Sequence, residues 1–180
     1  MTTKKRRAGN DAAKLRRLYI DCRYGQMHLT TAYPSSGGFD EASPLVFLHD
    51  ENGSGADFNE CAALLGCHRS VYAPDLPGSG ASDAPPGRAT ASGLADAIGD
   101  LIDQLRLREV DVFGCGRGAQ VAFELAAARP QDVRRLIVAG RQPVAATSKP
   151  LLQLGVDSAR VLEEPADSIA AAIREFLDGD

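Results

Sequence analysis

Along the chain, short apolar-rich runs alternate with longer segments whose apolar residues recur every three or four positions. Leu45 to Leu48, Val71 to Ala73, Val110 to Phe113 and Leu136 to Ala139 stand between loop signals, the pattern of strands buried on both faces. Asp57 to Leu65 spaces Phe58, Ala62 and Leu65 as a helix does. Ala91 to Leu107 aligns Leu94, Ile98, Leu101, Ile102 and Leu105, and Gly118 to Arg129 aligns Val121, Ala122, Leu125 and Ala126 before Pro130 stops it. Pro150 to Leu154 reads as a fifth strand, Arg160 to Leu162 as a sixth, and Ser168 to Leu177 as a closing amphipathic helix. At the start, Leu18 to Arg23 and Gln26 to Ala32 flank Tyr24 and Gly25 and predict an antiparallel hairpin. Strands alternating with helices predict an α/β domain: a mostly parallel sheet with helices on both faces, preceded by the hairpin.

Composition narrows the function classes. The 180 residues are 44% hydrophobic and 24% charged, an ordinary globular balance. Residues 1 to 23 hold eight of the 20 Lys and Arg but only Asp11 and Asp21 among 24 acids, so the body is acidic. Such a body repels duplex nucleic acid, and the run Lys4, Lys5, Arg6, Arg7 is read as a solvated basic tail over residues 1–17, followed by one domain over 18–180. No apolar run approaches the roughly 20 residues that span a bilayer, and the first residues lack the apolar core of an export signal. A cytoplasmic location without membrane contact is expected. Cys22, Cys61, Cys67 and Cys115 show neither C-x-x-C spacing nor a histidine placed to complete a zinc site, so the expectation is reduced thiols packed as small hydrophobes, with no metal and no cofactor. The glycine-rich turns around Gly78–Gly80 and Gly114–Gly116 lack a Walker lysine and the spacing of a dinucleotide fingerprint.

Three segments carry chemistry: PLVFLHDENGSGADF, VYAPDLPGSGASDAP and VDVFGCGRGAQVAFELAAARPQDVRRLIVAG, spanning most of residues 44 to 140. In that order they resemble the α/β-hydrolase family, whose nucleophile sits in G-x-S-x-G on a sharp strand-to-helix turn. Here the turn reads Gly114-Cys115-Gly116-Arg117-Gly118, so the nucleophile position is Gly116. Glycine has no side chain to form a covalent intermediate. Moving the register to Cys115 would put Phe113 and Arg117 where the turn needs small residues.

The resemblance implies further roles by position. KPLLQLGVDS places Asp157 at the acid position, although an Asp after a strand is also a common cap or turn former. The histidine would fall between Leu162 and Pro165, where Glu163 and Glu164 stand; His28, His49 and His68 all precede the elbow. His49 lies in the family's H-G motif, followed by Asp50 and Glu51, and with Arg117 these residues border the oxyanion region. A carboxylate about 4 Å from a developing oxyanion would oppose it by roughly 4 kcal/mol at an effective dielectric near 20, provided it faces the site. His49 is read as a loop-orienting side chain bonded to backbone. Asp75, Ser82 and Asp83 fall in the family's pocket-bordering loop. The family's lid, inserted between its sixth and seventh strands, is replaced by Arg141 to Lys149, which implies a shallow site. The contraction after Asp157 predicts an incompletely covered sheet face, and with it a homodimer or partner contact through Leu151 to Leu177.

The reading favoured by these residues is a diverged α/β-hydrolase-fold protein without hydrolase activity, a binding or interaction module for a small molecule or partner. The alternative is a hydrolase of small esters or related carbonyl compounds with a non-standard site, such as water activated by Asp75 or His49.

Overall fold

The computed structural model describes residues 12–35, 42–140, 147–155 and 161–179. The chain opens on β1 (Arg16–Cys22) and β2 (Gly25–Ala32), antiparallel, with Ile20 opposite Met27 and Cys22 opposite Gly25. Leu18, Ile20 and Cys22 turn inward while Arg17, Tyr19 and Asp21 face water, the two-residue period of a half-buried strand. Charges on this edge discourage pairing with another chain. Arg16 and Arg17, read as tail from the sequence, thus belong to the sheet. Just before them, the Ala13 amide donates to the Ala63 carbonyl at 2.7 Å.

There follow β3 (Leu45–Leu48), a 3-10 turn (Gly55–Phe58), α1 (Asn59–Leu65), β4 (Val71–Pro74), α2 (Ala91–Gln104), β5 (Val110–Cys115), α3 (Arg117–Ala128), β6 (Val133–Ala139), β7 (Leu151–Leu154) and α4 (Ala166–Asp178). They form one seven-stranded sheet in the order β1-β2-β4-β3-β5-β6-β7. β2 runs antiparallel to β4, and β4, β3, β5, β6 and β7 are mutually parallel.

Successive residues of the central strands enter opposite layers. Val46, Leu48, Val112 and Leu136 meet α2 and α3 through Leu94, Ile98, Val121 and Leu125. Leu45, Phe47, Phe113 and Ile137 meet α1 and α4 through Leu65, Ile169 and Ile173. On that second face the rings of Phe47, Phe58 and Phe113 lie 4.7–5.6 Å apart. Burial on both sides is why these strands are mostly apolar, Asp111 of β5 and Arg134 and Arg135 of β6 excepted, and each fully buried large side chain contributes about 1.5–3 kcal/mol.

Three elements differ from the sequence reading. The helix expected from Asp57 begins as the 3-10 turn. The helix expected to reach Leu107 stops at Gln104, because Arg106 takes a left-handed φ of 54° that no helix continues through. The strand expected over Arg160 to Leu162 is absent where it can be followed. Val161 and Leu162 form a turn, and Arg160 lies outside the described residues. Val161 alone plugs into the α1–α4 layer, while Leu162 is half exposed and the chain runs on into two acids and Pro165. On the sheet face where missing cover was expected lies α4, with Leu152 of the outer strand half-buried against that layer and Leu151 half-buried on the opposite face. Among the described residues no helix is long and apolar enough to cross a membrane.

Candidate functional site

The site lies where β3, β4 and β5 end. β5 breaks at Gly116, with φ 52° and ψ −116°, and α3 starts at the next residue. That conformation is open to glycine and strained for any other residue. A Cβ at Gly118 would overlap the Leu48 carbonyl, so the helix can pass this close to β3 only without a side chain there.

His49 is 1% exposed and fixes the loop after β3. Leu76 N–H donates to its Nε2 at 2.9 Å, which assigns the proton to Nδ1, donated to the Asp50 carbonyl at 2.6 Å. Both ring nitrogens are occupied, leaving neither to activate water. The same Asp50 carbonyl accepts from Gly53 N–H at 3.0 Å and closes the turn. The closed turn directs the Asp50 side chain over the elbow. Its Oδ1 accepts Arg117 N–H at 2.8 Å and Glu51 N–H at 2.8 Å.

By position these two amides correspond to the two backbone donors of the oxyanion hole in the family the sequence resembles, one just after the strand-to-helix turn and one in the loop after β3. Their spacing to Asp50 Oδ1 falls in the range such a hole requires of its oxyanion. The space above Gly116 is filled by the same carboxylate, since a Cβ built there would overlap Asp50 Cγ and both carboxylate oxygens. The site therefore holds its own anion. Glu51 Oε1 accepts from Arg117 Nη1 at 3.0 Å and from the exposed Arg88 at 3.4 Å. Around this ion cluster a hollow of about 540 Å³ is lined by Asp50, Glu51, Arg88, Thr90, Arg117 and Gln120. An adjoining 340 Å³ hollow runs along Leu76, Pro77, Pro85 and Leu94.

Asp75, Ser82 and Asp83 turn away from the elbow to fasten the loop. Buried Asp75 accepts from Gly55 N–H and Ala81 N–H at 2.8 Å and from His28 Nδ1–H at 3.0 Å. Ser82 Oγ donates to the Asp75 carbonyl at 2.7 Å while accepting His28 N–H at 2.9 Å. Asp83 accepts Gln26 N–H at 2.8 Å. His68 is exposed ahead of β4, at the opposite end of the sheet. Asp157 lies outside the described residues. Arg88, Thr90 and Gln120 were not singled out in the sequence. The signal available was the T-x-x-G start of α2, where Thr90 Oγ1 accepts Gly93 N–H at 3.0 Å and so sets Arg88 at the cleft mouth.

Cys115 is 1% exposed, its Sγ 3.8 Å from the Leu48 carbonyl, and burial pushes its thiol up to about 12. A thiol so held is neither nucleophile nor ligand at neutral pH. Iodoacetamide at pH 8 is accordingly expected to leave Cys115 unmodified in the native chain and to alkylate it after unfolding, read by peptide mass mapping. Native labelling at the rate of an exposed cysteine would disprove its burial.

The sequence model of the alpha/beta hydrolase fold matches residues 43–175. The chain belongs to the α/β-hydrolase fold family. It is 33% identical over 122 residues to 2-hydroxymuconate semialdehyde hydrolase of Pseudomonas sp. strain CF600, a match covering 62% of this chain and 39% of that one. Among solved structures it is similar to an N-acyl homoserine lactonase, AidH, in a serine-to-glycine variant complexed with N-hexanoyl homoserine lactone. The TM-score is 0.64 at 30% identity, over 72% of this chain and 47% of that one. It also resembles the epoxide hydrolase CorEH, with a TM-score of 0.65 at 27% identity, over 71% of this chain and 42% of that one. The chain thus spans 28–39% of the length of the curated relatives it matches.

Proposed function

We propose that this α/β-hydrolase-fold chain binds a small polar ligand at its elbow cleft and does not hydrolyse esters or lactones. The observation that carries this reading is the Asp50 carboxylate seated on the Arg117 and Glu51 amides above a side-chain-free Gly116. The donors that would stabilise an oxyanion are already satisfied by a negative oxygen, and a second anion there would meet like charge. The alternative, hydrolysis through water activated by Asp75 or His49, is weakened because both groups are engaged by the loop itself. The half-buried outer strand β7 keeps Leu151 to Leu177 as the proposed surface for a second copy.

The test pairs a fluorophosphonate probe and short p-nitrophenyl esters with N-hexanoyl homoserine lactone, the ligand of the similar lactonase structure. No stoichiometric labelling and no saturable turnover are expected, and any lactone bound is recovered with its ring closed. Stoichiometric serine labelling or lactone opening would reverse the assignment.

A further inference from the structure

A second hollow, of about 390 Å³, lies on the other face of the sheet between the start of α1 and the turn before α4. None of its lining residues belongs to the elbow cleft. Its depth is apolar: Phe58, Phe113, Val161 and Ile169 are all buried. Its mouth is acidic, with exposed Asp57, Glu60 and Glu164 and no Lys, Arg or His in the lining.

The remaining polar groups of the hollow add further acceptors. Asn59 Oδ1 is a buried oxygen with no hydrogen-bond partner. Cys61, neutral because burial pushes its thiol up to about 11, already directs its S–H to the Ala166 carbonyl at 3.6 Å. The N-terminus of α4 reaches the hollow, but the Ser168 amide there is satisfied by the Pro165 carbonyl and by Asp167 Oδ1, and Asp167 supplies a negative charge in the first turn. At the lip stands Leu162, half exposed and one of only two large hydrophobic side chains so exposed among the described residues. A volume in the range of small-molecule sites, an aromatic and aliphatic floor, a mouth made of carboxylates and a buried carbonyl oxygen without a partner in the wall are complementary to one chemistry. That chemistry is a donor-rich cation on an apolar body.

We propose that the hollow between α1 and α4 binds a small organic ammonium, its hydrocarbon part against Phe58, Phe113 and Ile169 and its N–H groups toward Glu60, Glu164 and Asn59. The site is independent of the elbow reading, since neither Asp50 nor Gly116 contributes to it.

The experiment titrates the full chain with 2-phenylethylammonium, 2-phenylethanol and 3-phenylpropanoate, followed by amide and methyl chemical shifts. The ammonium is expected to bind saturably in the millimolar range or tighter, with shifts at Cys61, Phe113, Leu162 and Ile169. The alcohol is expected to bind roughly tenfold or more weakly, the carboxylate not at all, and added salt to weaken the ammonium alone. The exposed pair Glu60→Gln with Glu164→Gln should lower ammonium affinity by roughly tenfold and leave alcohol binding unchanged, with a thermal scan showing the fold intact. Equal binding by the three probes, no saturable shift at millimolar ammonium, or shifts confined to Gly116 and Arg117 would overturn the proposal.

Discussion

Gly116→Ser is expected to unfold at a lower temperature than the parent chain and to hydrolyse p-nitrophenyl esters no faster than background. The stability loss has two sources. The φ of 52° with ψ −116° strains any side chain at that position by about 1–3 kcal/mol. The new Cβ also overlaps the Asp50 carboxylate, which must leave and so release the Arg117 and Glu51 amides. Together these lower the unfolding free energy by about 2–4 kcal/mol, and each kcal/mol shifts the melting temperature by about 2–4 °C in a chain of this size. Activity stays low because no described imidazole reaches the new hydroxyl: His28 points to Asp75, and His49 is bonded at both nitrogens. Adding Asp50→Gly removes the overlap and empties the two amides, so the double variant should recover part of the lost melting temperature. A single variant as stable as the parent would mean that Asp50 does not occupy the elbow in solution. Ester turnover several orders of magnitude above background would mean that a base does reach it.

The fate of Asp50 marks the boundary of what the sequence makes legible. Segment order and small-residue spacing were enough for the elbow, because Gly114 and Gly118 are required by backbone passing backbone. Strands β3 to β6 were equally legible, because burial on two faces leaves an almost continuous apolar signature. Side-chain direction in loops was not. Asp50 and Asp75 follow strand ends in similar surroundings, yet one turns toward the elbow and the other toward the hairpin. The difference lies in which backbone amides converge on each: Arg117 and Glu51 for the first, Gly55 and Ala81 for the second. Those amides are distant in sequence, and only the assembled sheet brings them together. The same holds for Arg88, whose place at the cleft follows from where α2 docks.

The far end of the sheet holds the second large expected effect: Asp111→Ala should destabilise the chain by about 3–5 kcal/mol, the scale for breaking a buried ion pair from one side. Asp111 is fully buried in β5 and is the shared partner of two guanidiniums. Arg134 Nε and Nη2 donate to it at 2.9 and 2.7 Å, and Arg69, itself 3% exposed, approaches at 3.4 Å. Burial holds the Asp111 carboxyl above the usual carboxylate range despite both cations, and it lowers Arg69. Removing the carboxylate leaves Arg69 with the Ser43 carbonyl and, as its remaining ion-pair partner, Asp178 of the α4 C-terminus, which is more than half exposed. The consequence extends to α4, because Arg134 and Arg135 also donate to the Phe176 and Leu177 carbonyls. Urea unfolding should show the loss, and hydrogen exchange should show α4 losing protection ahead of β5. The pH dependence has a definite sign. A carboxyl whose folded value lies above its unfolded one binds protons more tightly in the native state, so its contribution to stability is largest in acid and falls as pH rises through that window. Relative to the parent, Asp111→Ala should therefore lack that acid-side gain while losing the cation partner at every higher pH. A variant matching the parent at neutral pH would show that water, not Asp111, satisfies the two arginines.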